Sequence, residues 1–343
     1  MAAPGGICLT AQCHALVQAS CEVEPMGSHV LKGFAGATAL YALTGVSQAA
    51  LAQRFPDAGR AKFRGRAHEI NLLHDAWAKT DRRDAQVVGI CAPPGAGKSR
   101  LCHEFAQWCN RHEVPVCEVR AQLYGHATPL QPILELLRVF FFAITGGDDA
   151  ETARGRIARR LADTSTSDDL ALVQEFLGVA TPGDKPSSLS PKSRHDRLIS
   201  LVREQIRHLS AAPAVVVIED IHWLDEASEE FVSALVEAVA GTRTMLVLNY
   251  RSSYQVPWGQ AAHFREVLLP ELSRKDSHAL VGDLMGPLAS LEEVRTLVVQ
   301  RSAGNPFFAE ELVRSLRENG VLVGDGSVRG GLQAAERALP ATV

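Results

Sequence analysis

Ala92-Pro93-Pro94-Gly95-Ala96-Gly97-Lys98-Ser99 occupies residues 92–99, between two apolar patterns of different period. Before it, Val87–Cys91 is an apolar run with the length of a buried strand. After it, Leu101, Phe105 and Trp108 share one face of a helix. Glycines at a turn from a strand into a helix let backbone N–H groups and the positive helix end surround phosphate oxygens. These residues therefore predict a phosphate-binding loop in an α/β fold.

Two side chains of this loop have the chemistry that phosphate binding requires. Lys98 is expected to reach the β- and γ-phosphates of a nucleotide, and the Ser99 hydroxyl to hold Mg²⁺. Residues 92–100, including Arg100 in the first helical turn, are the expected nucleotide contacts. The full pattern has glycine at its first position, where this chain has Ala92, and alanine fits there if its φ is negative. The alternative is a chance glycine-rich turn.

A second buried-strand run, residues 214–218, ends in the acidic pair Glu219-Asp220. The carboxyl ends of strands in an open α/β sheet border its ligand crevice, so both carboxylates are expected there. One carboxylate can hold Mg²⁺ and the other can orient or deprotonate the attacking water. By position Glu219 is the metal-side residue and Asp220 the base, although the two roles can be exchanged. A helix-capping acidic pair is the alternative.

A third apolar run, residues 245–250, ends in Arg251. An arginine at this strand end can sense the γ-phosphate through charge-assisted hydrogen bonds. The alternative is a surface arginine. His222, next to the acidic pair, either contacts the attacking water or packs under the edge of the sheet.

Five strings together carry a family resemblance. They are Phe63-Arg64-Gly65-Arg66, the loop at 92–99, Ile218-Glu219-Asp220-Ile221-His222-Trp223-Leu224-Asp225, Tyr250-Arg251 and Gly304-Asn305-Pro306-Phe307-Phe308. The chain resembles the P-loop ATPase module of the STAND class, close to AAA ATPases, found in large bacterial signalling proteins. The resemblance implies a three-layer α/β/α parallel sheet with a small C-terminal helical lid, and ATP or ADP with Mg²⁺ as ligands.

The same resemblance places two more residues at the nucleotide. It implies that Arg66 lies near the nucleotide and that Pro306, on the lid, packs near the adenine. The chain departs from the family at Ala92 and at Ala67, where a glutamate is usual after the Gly-Arg pair.

Residues 1–45 do not match the ATPase module. The string from Gly27 to Leu43 resembles the C-terminal end of a class III nucleotidyl cyclase domain, which often precedes this type of ATPase. The metal-binding and transition-state residues of that family are absent, so no cyclase activity is expected. An unrelated α+β cap is the alternative.

The resulting domain organisation has five parts. A short α+β cyclase remnant occupies 1–45 and a linker 46–60; the P-loop core covers 61–270, a helical lid 271–323, and a loose, truncated tail 324–343. Capping boxes at Ser273-x-x-Asp276 and Ser290-x-x-Glu293 open two helices of the lid.

Composition excludes several classes of function. A formal net charge of -4 argues against a general nucleic-acid-binding surface. The seven cysteines show no Cys-x-x-Cys spacing, which indicates reduced thiols in a cytoplasmic protein and no zinc site. The first twenty residues lack Lys and Arg, so a signal peptide is not expected. Residues 33–52 are uncharged, but their strand-like alternation argues against a membrane span.

Two function classes fit these residues. One is an enzyme that hydrolyses ATP with Mg²⁺, using the residues above. The other is a switch, in which the lid carrying Pro306 closes over nucleotide, turnover is slow, and the state is read by an unidentified protein partner or effector domain.

Overall fold

The computed structural model describes most of the chain. The described residues are 7–18, 21–30, 36–46, 61–122, 130–162, 166–181, 183, 188–209, 212–286, 291–323 and 327–339. They divide into two compact units, Met1–Ala61 and Lys62–Val343. The proposed linker at 46–60 lies outside the described residues except for its first position.

The first unit is a three-stranded antiparallel sheet with one helix. Its elements are β1 (Cys8–Thr10), α1 (Ala11–Val17), β2 (Cys21–Val30) and β3 (Ala37–Val46), with β3 in the centre. The strand expected from the alternation around residues 39–43 is confirmed. Among the described side chains of this unit only Leu40 and Ala61 are buried. The resemblance to a cyclase terminus stays a prediction.

A five-stranded parallel sheet forms the centre of the second unit. Its strands are β4 (Val87–Cys91), β5 (Val116–Arg120), β6 (Ala214–Glu219), β7 (Thr244–Tyr250) and β8 (Phe264–Leu268), in the order β5-β6-β7-β4-β8. The strand β4, which precedes the glycine-rich loop, and β6, which precedes the acidic pair, are therefore separated by β7.

Helices cover both faces of this sheet. On one face lie α2 (Ala67–Thr80) and α3 (Lys98–Arg111). On the other lie α4 (Gln131–Leu136), which continues as a π-helix (Leu137–Phe141), then α5 (Ala150–Leu161), α6 (Ser167–Phe176), α7 (Pro191–Leu209) and α8 (Glu226–Ala238). Successive residues of a strand point to opposite faces, so Val215 and Val217 belong to the first core and Val216 and Ile218 to the second. The predicted three-layer α/β/α fold is confirmed.

The chain leaves the sheet and forms a small helical lid. Its helices are α9 (Arg274–Met285), α10 (Glu292–Ser302), α11 (Pro306–Glu318) and α12 (Gly331–Ala338). Ser273 caps α9 as predicted, accepting a hydrogen bond from the Asp276 N–H at 3.1 Å. Ser290, the other predicted cap, lies outside the described residues.

The predicted loose tail is wrong for residues 331–339. Most of these residues form α12, in which Ala335 is buried. Leu339, which directly follows the helix, is buried as well. Arg301 Nη1 donates to the Leu339 carbonyl at 2.8 Å and so ties α12 to α10. The tail's glycine and alanine content concealed an apolar face formed by Leu332, Ala335 and Leu339 at helical spacing.

Candidate functional site

The glycine-rich loop leaves the end of β4 and enters α3 through two left-handed glycines. Gly95 has φ 76° and Gly97 has φ 96°, values that side chains rarely tolerate. Ala92 does not take a positive φ and is buried, with its N–H donating to the Tyr250 carbonyl at 3.3 Å. The alanine at the first position therefore fits the loop without backbone strain.

Lys98 holds its ammonium group inside the loop. Its Nζ donates to the carbonyls of Ala92 at 2.8 Å and Pro93 at 3.0 Å, and the side chain is buried. Burial lowers the pKa of Lys98, and the nearby Asp220 carboxylate partly opposes this effect. The Lys98 ammonium is therefore placed to contact an anion bound in the loop.

The two residues after Lys98 differ in their side-chain environment. Ser99 lies in the first turn of α3, whose N-terminus has no side-chain cap, so backbone N–H groups there are not occupied by a capping residue. The Arg100 guanidinium pairs with Glu104 one turn along, at 2.6 Å, and is directed along the helix.

Asn249 joins the acidic pair to the strand beside the loop. It is fully buried in β7, where its Nδ2 donates to Glu219 Oε2 at 3.1 Å and its Oδ1 accepts from the Asp220 N–H at 2.8 Å. The same Nδ2 lies 3.4 Å from the Cys102 sulfur in α3. One amide thus connects both acidic residues with the helix that follows the loop.

Glu219 and Asp220 lie in different environments. Glu219 is buried, with 4% of its surface exposed. Asp220 takes a left-handed conformation, φ 57° and ψ 38°, which turns the chain out of β6. Its carboxylate pairs with Arg120 at the end of β5, at 2.6 Å from Nη2 and 2.8 Å from Nε.

Arg251 and the histidine–tryptophan pair lie at the same edge of the sheet. The Arg251 guanidinium carbon is 5.0 Å from the centre of the Trp223 ring, a cation–π arrangement. His222 stacks obliquely on Trp223 at 4.8 Å, and burial lowers its pKa. Both ring nitrogens of His222 are buried without a hydrogen-bond partner among the described residues. In this structure the His222 ring packs against Trp223, with both of its nitrogens buried.

The lid contacts the glycine-rich loop directly. Asn305 Nδ2 donates to the Pro94 carbonyl at 3.0 Å, and the Phe307 N–H donates to the Gly95 carbonyl at 3.3 Å. A Cβ at Gly95 would lie 2.6 Å from Asn305 Oδ1, so the close approach itself requires glycine. Pro306 begins α11 and lies 3.7 Å from the position of a Cβ on Gly97.

Arg66 also reaches the loop. It is buried, and its Nη2 donates to the carbonyls of Ala96 at 3.1 Å and Pro270 at 2.7 Å, while Nη1 pairs with Glu69 at 3.3 Å. The predicted residues of the loop, β6, β7 and the lid therefore lie along the carboxyl edge of one sheet.

Comparison with protein families gives two matches. An AAA ATPase domain model matches residues 62–248, more than half of the chain. The chain belongs to the AAA ATPase domain family. A second model, described as a domain of unknown function, matches residues 273–329 of this AAA ATPase, which include most of the lid.

A curated relative matches nearly the whole length of this AAA ATPase chain. Uncharacterized protein R02095 of Rhizobium meliloti (strain 1021) is 25% identical over 328 residues, which are 92% of this chain and 31% of the relative. The chain thus spans less than a third of the length of the curated relative that it matches.

Three solved structures are similar to the AAA ATPase at low sequence identity. The Aeropyrum pernix ORC1 protein in complex with DNA is 15% identical with a TM-score of 0.47, over 83% of this chain and 67% of that chain. A Thermotoga maritima RuvB variant is 14% identical with a TM-score of 0.41, over 80% and 69%. A Signal Transduction ATPase with Numerous Domains (STAND) protein with a tetratricopeptide repeat sensor, from Pyrococcus horikoshii, is 14% identical with a TM-score of 0.40, over 75% and 30%.

Three residues of this edge were missed by sequence reasoning. Asn249 is a polar residue inside an otherwise apolar strand run, a signal that could have marked it. Arg120 ends the strand β5 just as Arg251 follows β7. Asn305 stands inside the string that carried the family resemblance, where only Pro306 was assigned a role.

Among the described helices, none combines the length and the apolar character needed to cross a membrane.

Proposed function

We propose that this AAA ATPase domain binds ATP with Mg²⁺ at the glycine-rich loop, hydrolyses it slowly to ADP and phosphate, and acts as a signalling or regulatory module whose lid reports the nucleotide state. The observation that carries the proposal is the connection through Asn249. This residue joins the acidic pair at the end of β6 to the helix that follows the loop, across the strand between them.

The loop provides the binding of the phosphates. The left-handed Gly95 and Gly97 would let backbone N–H groups turn toward the phosphates. The ammonium of Lys98 would exchange its two loop carbonyls for β- and γ-phosphate oxygens. A group that is already buried and desolvated interacts strongly with an anion that replaces those carbonyls.

Ser99 and Glu219 would hold the magnesium ion. Ser99 places a hydroxyl beside Lys98, and Glu219 is a buried carboxylate whose partner in the structure is the neutral amide of Asn249. A buried carboxylate is costly without a cation, which supports metal binding here. When bound, Mg²⁺ would neutralise charge on the β- and γ-phosphates.

Asp220 and Arg251 would act on the γ-phosphate side. Asp220 would orient the attacking water and accept its proton, once its carboxylate is released from Arg120. Arg251 would hydrogen-bond the γ-phosphate from its position over Trp223. The assignment of Glu219 to the metal and Asp220 to the water follows their burial, and the exchanged assignment remains the alternative.

The lid contacts favour a switch as the second candidate function. Asn305 and Phe307 bind the loop at Pro94 and Gly95, so a change in the loop on nucleotide exchange is transmitted to α11. Asp220→Asn separates the two functions. An enzyme whose output is turnover loses that output, whereas a switch is held in its ATP state and keeps or increases its signal.

Several parts of the proposal rest on the sequence analysis, through the family resemblance or, for the location, through the cysteine pattern. They are membership of the STAND class, adenine as the base packed near Pro306, Arg66 near the nucleotide, a protein partner or effector domain, a cytoplasmic location, and a remnant of a class III cyclase in residues 1–45 without cyclase activity. No specific nucleic-acid contact and no membrane contact are part of the proposal.

The nucleotide content of the purified protein tests the proposal. The protein is denatured, the released small molecules are separated on a column, and Lys98→Ala is the control. Near-stoichiometric ADP in the wild type that is lost in the variant supports the proposal. An empty wild type that also fails to take up Mg-ATP overturns it, and cyclic nucleotide made by the purified chain would overturn the exclusion of cyclase activity.

A further inference from the structure

Three consecutive residues, Arg64, Gly65 and Arg66, contact both the lid and the glycine-rich loop. We call residues 64–66 the strap. They precede α2 in the sequence, yet their contacts lie at residues 96, 270, 272, 276 and 283. The strap therefore contacts both the core and the lid, although it is not part of the chain segment after β8 that joins them.

The Arg66 end of the strap is fixed. Its guanidinium is buried and donates to the Ala96 carbonyl in the loop and to the Pro270 carbonyl in the segment between β8 and the lid. Both acceptors are neutral backbone groups, and Glu69 supplies the buried counter-charge. Removal of a buried, fully engaged guanidinium leaves several polar groups unpaired, so this end does not release easily.

Gly65 fits closely against the start of the lid. It has φ 68°, and a Cβ there would lie 2.8 Å from Asp276 Cβ and 2.9 Å from Leu272 Cδ2. No side chain fits in this space, so the strap backbone lies directly on the first turn of α9. Any movement of α9 away from the core must break this contact.

The Arg64 end of the strap is exposed and paired through charge. Arg64 Nε and Nη2 donate to the two carboxylate oxygens of Asp283 in α9 at 2.8 and 3.0 Å. The side chains are 36% and 21% exposed. The hydrogen bond from Arg64 lowers the pKa of Asp283, so the carboxylate is charged at neutral pH. An exposed ion pair is weakened by salt, because mobile ions screen it.

We propose that the strap controls nucleotide release from the glycine-rich loop, with Arg66 as its fixed end and the Arg64–Asp283 pair as its releasable end. Release requires the lid to move away from the loop, because Asn305 and Phe307 lie on Pro94 and Gly95. The Arg64–Asp283 pair opposes that movement from a different helix of the lid, α9. Arg64 is thus a positioning residue, and the inference rests on the nucleotide binding proposed above.

The test is the release rate of a fluorescent ADP analogue from the full chain. Equilibrium binding is measured first, and release is then followed after mixing with excess unlabelled ATP at low and high salt. The variants are Arg64→Gln, Asp283→Asn, their combination, and the exchanged pair Arg64→Asp with Asp283→Arg. Arg203→Gln is the matched control, since Arg203 forms an exposed pair with Glu237 at 2.7 Å between α7 and α8.

The strap predicts a specific pattern of rates. Arg64→Gln and Asp283→Asn each accelerate release about threefold at low salt, the size expected of an exposed ion pair. The combined variant is no faster than the faster single variant, and salt accelerates release only where the pair is intact. The exchanged pair slows release only part of the way back to the wild-type rate, because Lys62 also acts on residue 283 and Asp276 on residue 64. Single-turnover cleavage and the Arg203→Gln control stay unchanged.

Three outcomes overturn the inference, and they can be distinguished from one another. A wild-type chain that binds no nucleotide overturns the proposed function, and the inference falls with it. Unchanged release from an Arg64→Gln chain that still binds nucleotide overturns the inference alone, as does acceleration that the exchanged pair fails to reverse even in part.

Discussion

Asn249 is the residue on which the arrangement of the acidic pair depends. Replacement by alanine leaves the buried Glu219 carboxylate without its amide donor and the Asp220 N–H without its acceptor. The unpaired Glu219 carboxylate and the partly buried Asp220 N–H each cost about 1–3 kcal/mol, so Asn249→Ala should lower the free energy of unfolding by about 2–6 kcal/mol. ATP turnover should fall at least about tenfold, because the Glu219 carboxylate and the Asp220 backbone lose the hydrogen bonds that fix their positions. Urea denaturation and a phosphate-release assay measure the two effects.

Asn110→Ala is the control for this variant. Asn110 is exposed at the end of α3, where a substitution is expected to change stability by no more than about 0.5 kcal/mol. Turnover of Asn249→Ala within twofold of the wild type would contradict the role assigned here. A loss of stability without a loss of turnover would assign Asn249 to the core only.

Residues within one continuous string were easier to predict than residues that meet across strands. Lys98, Ser99, Glu219 and Asp220 follow from the loop pattern and from the end of an apolar run, both of which are local. The pairing of Asn249 with Glu219 requires knowing that β7 lies between β4 and β6. Strand order depends on long-range packing, which a local sequence pattern does not encode.

Elements with a strong apolar pattern were predicted well. The helix α12, whose segment is rich in glycine and alanine, was not. The strands β4, β6 and β7 are fully buried, so each is an apolar run with few polar residues, Glu219 and Asn249 among them. The helix α12 has only a short apolar face within a glycine- and alanine-rich segment, and its buried position depends on contact with α10. That contact is tertiary, and the local pattern does not reveal it.

Asp169 stabilises the helices α6 and α7 through one buried carboxylate. It completes the capping box with Thr166 and accepts from Arg197 Nε at 2.6 Å and Nη2 at 2.9 Å. The hydrogen bond from Arg197 lowers the pKa of Asp169 from an ordinary 3.8 to about 2. A carboxyl whose folded pKa is depressed stabilises the fold above its unfolded pKa and loses that stabilisation as the pH falls through the folded pKa.

Asp169→Asn should therefore destabilise the protein by about 2 kcal/mol at neutral pH, since each unit of pKa shift is worth about 1.4 kcal/mol. Asparagine keeps one acceptor, which can serve the Thr166 N–H, but it removes the charge and one of the two oxygens that accept from Arg197. The difference from the wild type should shrink between about pH 4 and pH 2. Urea denaturation over this range measures it, with Arg197→Gln as the partner variant. An equal difference at neutral pH and near pH 3 would show that the carboxylate charge is not responsible.

At the scale of the whole molecule, the site belongs to one of the two units. Every residue assigned to nucleotide or metal, from Arg66 to Pro306, lies in Lys62–Val343, as do both hydrophobic cores. The first unit has a sheet but, among its described residues, few buried side chains. A domain that carries its own core can fold without its neighbour, whereas a segment of about 60 residues with little core is marginal.

A shortened chain of residues 62–343 should therefore bind Mg-ATP with a dissociation constant within about twofold of that of the whole chain. Its unfolding should stay cooperative, because both cores and the strap are retained. A peptide of residues 1–61 should show no cooperative unfolding, since Leu40 and Ala61 are its only buried residues among those described. Isothermal titration calorimetry and thermal denaturation measure these properties. More than tenfold weaker binding by the shortened chain would show that the first unit contributes to the nucleotide site, and a cooperatively folding peptide would show that the first unit is a domain in its own right.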